Sequence, residues 1–206
     1  MLIRDRGTGE RTTQLHHLGL KFSQQVGYNL PVDMLEAIPS VDIPETETLS
    51  FSNLIDGFRQ FSGPVNLAGK NVISIELGAD FGQAYYQTWT ELLQEAKHAF
   101  VAGVNQLVIH ALTPPAGLDV GYKQAMDYLA RCQFILQEGV PRVDLVFWDK
   151  QTAQDAYPGI LYEPTDLQDA GYTYEYLSPE NFDSPMAYVK NGVLAPQQQA
   201  FKAMIL

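Results

Sequence analysis

Apolar positions along the chain fall into short runs separated by stretches of helical period. KFSQQV at 21–26 reads as a strand, ended by Gly27 and Pro31. IPSVDIPE at 38–45 contains a short strand broken by Pro44. NVISIE at 71–76 is the clearest strand of the first half, and VNQLVIHAL at 104–112 is the next. Between them Tyr85, Trp89, Leu92, Leu93, Ala96, Ala99 and Phe100 recur at helical spacing, with Gly103 as a stop. LSFSNLIDGFRQF at 49–61 predicts a second amphipathic helix that buries Leu54, Ile55, Phe58 and Phe61. Strands alternating with helices predict a parallel sheet covered by those helices. The unit from Asn71 to Val104 matches the ~31 residues per unit of a (β/α)8 barrel.

A helix is expected from about Asp119 to Glu138, with Tyr122, Met126, Leu129 and Leu136 facing inward. The texture then changes. VPRVDLVFW at 140–148 is a near-continuous apolar strand, followed by a loop through Tyr157, Pro158 and Gly159. DLQDAGYTYEYLSPENF at 166–182 reads as helix, glycine stop, strand and turn. AYVKNGVLA at 187–195 is a hairpin signalled by Asn191–Gly192, and FKAMIL closes the chain as a further strand. The change of texture places a boundary near 113–119. Residues 1–116 are then the first unit and 117–206 a second, partial α/β unit.

Composition narrows the function classes. The 206 residues are 46% hydrophobic and 11% aromatic, as in globular chains. A net charge of −11 without any cluster of Lys and Arg excludes nucleic acid as a partner. No run approaches the roughly 18 apolar residues of a membrane span, so no membrane partner is expected. Cys132 stands alone, which excludes an internal disulfide and a cysteine-based zinc site. MLIRDRGTGERTTQ shows no apolar h-region, so no secretion signal is visible.

In parallel α/β folds, groups at the C-terminal ends of strands face the site-bearing rim. Glu45 lies just past one predicted strand, Glu76 ends the next, and His110 ends the one after. Neighbouring strands are ~4.8 Å apart, so two such glutamates permit the ~6.5–9.5 Å between acid and base of an inverting glycosidase. Each residue has a plainer reading. Glu76 would pair with Lys70 or Arg59, Glu45 would be a first-turn helix residue, and His110 a satisfied core histidine. Glu47 would serve in place of Glu45 in any role. His16–His17 lacks partners at metal-ligand spacing, and Asp5, Asp33 and Asp42 read as surface residues. Neither a phosphate loop nor a G-x-S-x-G elbow occurs, which weakens a flavodoxin-like small-molecule module as a reading.

QQVGYNLPVDMLEAIPSVDIPETETLSF, LIDGFRQFSGPVNLAGKNVISIELGA and HAFVAGVNQLVIHA resemble the barrel segment of fungal secreted glycoside hydrolases similar to the α-L-rhamnosidases of family 106. VPRVDLVFW and the segments from 166 onward resemble the α/β domain that follows the barrel in those enzymes. The resemblance implies the C-terminal half of a (β/α)8 barrel followed by part of a second α/β domain. It implies an extracellular glycoside hydrolase that inverts terminal α-L-rhamnosides of plant-type polysaccharides, with a calcium ion helping to hold the sugar. Carried over, Glu76 is the general base, Glu45 a second site carboxylate that is either acid or calcium ligand, and His110 lines the sugar pocket. The family's chain is much longer, and ALTPPAGLD after His110 replaces a long aromatic, glycine-rich loop. The sequence therefore reads as a truncated copy. Its alternative role is a non-catalytic remnant that binds carbohydrate weakly or not at all, and its exposed strand edges predict self-association.

Overall fold

A computed structural model describes residues 6–26, 32–79, 86–110, 120–149 and 160–206. The chain opens with helix α1 (Arg6–His17), which carries no apolar period and was not expected. Its inward stripe is threonine. Thr8 and Thr12 are buried, and the Thr12 hydroxyl donates to Ser40 O at 2.7 Å. His16 Nε2 lies 2.8 Å from Asp42 Oδ2, fixing the other end of the helix.

Strand β1 (Ser23–Gln25) follows, then the short helix α2 (Met34–Ala37) and a 3-10 turn over Ile38–Ser40. Strand β2 (Ile43–Glu47) runs through Pro44 instead of breaking there. The hydrogen bonding explains why. The Ile43 N–H donates to Phe22 O on the β1 side, so alternation turns the Pro44 nitrogen toward β3, one residue before that ladder starts at Glu45 opposite Ser74. A missing N–H costs nothing at that place.

The expected single helix at 49–61 is two. Helix α3 (Thr48–Phe51) stops at Ser52 and Asn53, both left-handed, and α4 (Ile55–Leu67) starts afresh. Helix α4 continues six residues past the expected end because it is covered on two sides, and every residue from Asp56 to Leu67 except Arg59 is buried. An amphipathic pattern cannot announce a helix packed between layers.

Strand β3 (Ser74–Leu77), helix α5 (Trp89–Val101), strand β4 (Gln106–Ile109) and helix α6 (Tyr122–Gln137) complete the first half. Tyr85 lies outside the described residues. A capping box joins Thr88 and Glu91 at the start of α5. Thr88→Ala should cost ~1 kcal/mol in chemical denaturation, the usual loss on removing such a cap. On α6 Leu129 is buried, whereas Tyr122 and Leu136 are exposed where the helix ends overhang the sheet.

The strands form a parallel sheet in the order β1-β2-β3-β4, with α4, α5 and α6 packed against β2, β3 and β4. Thr46, Ile75 and Leu77 point into that helical layer and are fully buried. Strand β4 has no strand beyond it among the described residues. Its outward Leu107 N–H instead donates to Gln133 Oε1 of α6 at 2.8 Å.

The second half holds β5 (Leu145–Trp148), α7 (Asp166–Asp169), β6 (Tyr174–Leu177), a 3-10 turn over Pro179–Asp183, the hairpin of β7 (Val189–Lys190) and β8 (Val193–Leu194), and β9 (Ala203–Ile205). Strand β5 is shorter than 140–148 predicts. The hairpin turns at Asn191 and Gly192, both at positive φ, as expected. A second parallel sheet has the order β6-β5-β9.

Helix α4 lies against β6 so closely that a Cβ on Gly63 would sit 2.2 Å from Tyr176 O. Asp56 ties the same layers together. Its carboxylate accepts from Tyr176 OH at 2.7 Å, Tyr174 OH at 3.2 Å and Leu161 N at 2.7 Å. Phe58 and Phe61 of α4 share one apolar core with Tyr174 and Tyr176. The predicted boundary at 113–119 lies outside the described residues.

Candidate functional site

Residues paired side by side in parallel strands share a face. The register aligns Gln25, Glu45, Ser74 and Gln106 across β1 to β4. One step toward the C-terminal ends, it aligns Glu47, Glu76 and Val108. His110 follows Val108 by two residues. These positions form the face opposite α4, α5 and α6. Val108 there is 46% exposed, so this face is open at β4, while Ser74 and Glu47 on it are buried.

Glu76 is the hub. Its Oε2 accepts from Gln25 Nε2 at 3.0 Å, and its Oε1 lies 3.4 Å from His110 Nε2. Neither expected pairing occurs. Lys70 donates to Pro39 O and Val41 O, and Arg59 lies beside Asp56. Burial pulls the Lys70 ammonium below its ordinary value. Glu45 is a strand residue and not part of a helix, and its Oε2 accepts from the Ser74 hydroxyl at 2.9 Å. Gln106 Nε2 lies 3.5 Å from that hydroxyl. Glu47 is buried and accepts from the Ser50 hydroxyl.

The loops beyond the strands are fixed to one another. Ala79 N–H donates to Thr48 Oγ1 at 2.8 Å, linking the exits of β2 and β3. Gly78 permits this turn. Its φ is +77, and a Cβ there would meet Leu92 Cδ1 at 2.9 Å.

The remaining candidates lie elsewhere. Asp33 is not a surface residue but a buried cap that accepts from Glu36 N at 3.1 Å. Asp42 accepts from Phe22 N–H and His16, and Asp5 lies outside the described residues. Carboxylates of Asp33, Glu36 and Glu180 gather within 4.8 Å, a group that does not include Glu45. Gln25, Ser74 and Gln106 were not singled out from the sequence. Their signal is polar alternation with a period of two: Gln25, then Glu45 and Glu47, then Ser74 and Glu76, then Gln106.

A solved enzyme has this fold. The chain superposes on the structure of a rhamnosidase from Novosphingobium sp. PP1Y with a TM-score of 0.73 and 19% identity. The match covers 96% of this chain and 22% of the rhamnosidase, so the chain spans about a fifth of that enzyme's length. Neither a family model nor a curated protein matches the sequence. Among the described residues, no helix is long and apolar enough to cross a membrane.

Proposed function

We propose that the chain is glycosidase-like and that its four-stranded sheet corresponds to the C-terminal half of a (β/α)8 barrel, residues 1–116, with 117–206 as part of the following α/β domain. The reaction is inverting hydrolysis of a terminal α-L-rhamnoside of plant-type polysaccharides, as in the family 106 enzymes that the sequence resembles. One observation carries this reading: Glu45, Glu76 and His110 lie on one face of one parallel sheet, with Glu47 buried beside them.

Strand geometry separates the roles. Glu47 and Glu76 are directly opposed, so their Cα atoms are ~4.8 Å apart. Glu45 lies two residues lower, and a rise of ~3.3 Å per residue puts its Cα about 8 Å from that of Glu76. The wider backbone spacing leaves more room between the two carboxyls for the water that an inverting pair needs. Glu76 is then the general base, oriented by Gln25 and His110, and it takes the proton of the attacking water. Glu45 protonates the departing oxygen, with Glu47 as its substitute. His110 and Gln106 line the sugar.

The resemblance also implies calcium at Glu45. One carboxylate, a serine hydroxyl and side-chain amides are hard oxygen donors of the kind that ion takes. No three charged donors converge there among the described residues, so no step is assigned to it.

Hydrolysis of 4-nitrophenyl α-L-rhamnopyranoside tests the assignment, with rhamnose binding followed by NMR titration. We expect turnover that Glu76→Gln lowers by ~10²–10⁴-fold, the share of one positioned acid or base. Turnover unaffected by Glu76→Gln would overturn the assignment of the base. Fast turnover abolished by it would show that Glu45 or Glu47 is a competent acid. A second reading, a weak carbohydrate-binding protein, is favoured by the bonds that already engage Glu45 with Ser74 and Glu47 with Ser50, and it predicts no turnover at all.

A further inference from the structure

A cavity of about 370 Å³ opens at the seam between the two sheets. It is lined by Asn71, Gly103 and Asn105 just before β3 and β4, and by Val143 and Thr173 just before β5 and β6. It therefore lies at the opposite end of the strands from Glu76 and His110. Its polar floor is Glu175 of β6 with Ser62 and Asn66 of α4. Its mouth is apolar: Val101 and Ile135 are each 68% exposed, Val140 is 55% exposed, and Leu136 stands beside them.

Glu175 itself is only 4% exposed. Its oxygens accept from Gln199 Nε2 at 3.0 Å and Asn66 Nδ2 at 3.5 Å, and the Ser62 hydroxyl also bonds to it. All three partners are neutral. Arg59 reaches the cavity, but its guanidinium lies 3.5 Å from Asp56 and stacks 4.1 Å over the Tyr174 ring. Arg142 donates to Pro196 O and Gln198 O. No cation stands within ion-pair distance of Glu175 among the described residues. Its two oxygens serve as acceptors for Asn66 and Gln199, yet a buried carboxylate without a cation at ion-pair distance is costly, and Arg59 farther off offsets only part of that cost.

We propose that this cavity binds a small amphipathic amine, its ammonium paired with Glu175 and its apolar body against Val101, Ile135, Leu136 and Val140. The volume is at the small end of the ~300–1,000 Å³ of ligand pockets. The ammonium supplies the missing counter-charge, and the exposed apolar mouth is covered by the body of the ligand.

Isothermal titration calorimetry at pH 8 on the full chain tests this with 2-phenylethylamine as the probe. The amine should bind, 2-phenylethanol should bind at least tenfold more weakly, and Glu175→Gln should weaken the amine at least tenfold. Ile135→Ser, at an exposed position that does not endanger folding, should weaken it several-fold. No binding at millimolar amine, or equal binding to Glu175→Gln, would overturn the proposal. So would tighter binding of 3-phenylpropionate, which would assign the cavity to anions through Arg59 and Arg142. Hydrolysis of rhamnosides is not the readout, so either outcome leaves the proposed function standing.

Discussion

Gly63→Ala should lower the stability of the chain by ~3 kcal/mol or more, with a matching fall in its urea midpoint. The added Cβ would lie 2.2 Å from Tyr176 O and 3.2 Å from its carbonyl carbon, and both are backbone atoms of β6. No rotamer change relieves such a contact. Either α4 or β6 must move by about an ångström, and both are anchored. Asp56 holds α4 to Tyr174, Tyr176 and Leu161, and Gln199 Nε2 donates to Gly63 O itself at 2.9 Å. Overpacking of this kind costs 1–3 kcal/mol when the core can adjust and more when it cannot. Folding stabilities are only ~5–15 kcal/mol, so ~3 kcal/mol or more at the seam is a large share of the total. Urea denaturation followed by far-UV circular dichroism would read the loss. A midpoint within error of wild type would mean that the two layers are less closely apposed than described.

Glu175→Gln should gain stability relative to wild type as pH rises from mildly acidic values. Burial pushes the Glu175 carboxyl up from 4.5 to about 7, offset only in part by Gln199, Ser62, Asn66 and Arg59. The folded state thus prefers the neutral acid. Stability from this group is complete below pH 4.5, declines as pH rises toward about 7, and is flat above. One pKa unit is ~1.4 kcal/mol, so the whole decline is about 3 kcal/mol. Glutamine has no proton to lose. The variant should therefore lack this decline, so that the stability difference shifts in its favour by about 3 kcal/mol between pH 4.5 and pH 8. Asp42 and Asp144, both held below the ordinary carboxylate value, titrate in a lower range and do not obscure the window. A stability difference that stays constant between pH 4.5 and pH 8 would contradict the described burial of Glu175.

Much of the fold could be read from local pattern because its cues are local. Asn191–Gly192 specifies its hairpin through two left-handed residues, and the Thr88–Glu91 box and Gly103 bracket α5. Long-range packing erased the other cues. Helix α4 is covered by two layers and loses its amphipathic stripe, and α1 buries threonines where an apolar stripe would be sought. Pro44 was misread because an alternating ladder makes a missing N–H harmless at one position and damaging at the next. Glu76 and His110 could be placed at strand ends from local pattern, whereas Glu45, expected just past a strand, lies in the middle of β2 because the strand runs through Pro44. Gln25 and Ser74 could not be recognised as their partners until the register aligned four strands. The seam cavity gave no sequence signal, since Glu175 and Ser62 meet only through tertiary packing.

The bond from Leu107 N–H to Gln133 also changes what the β4 margin offers to another strand. Growth into a filament requires two receptive margins per molecule, one to give and one to receive. Here a side chain already occupies the donor on the β4 margin, while β1 has a strand neighbour only on its β2 side among the described residues. With the Leu107 N–H already satisfied by Gln133, the β4 margin offers an incoming strand one donor fewer, which is how a side chain blunts a sheet edge.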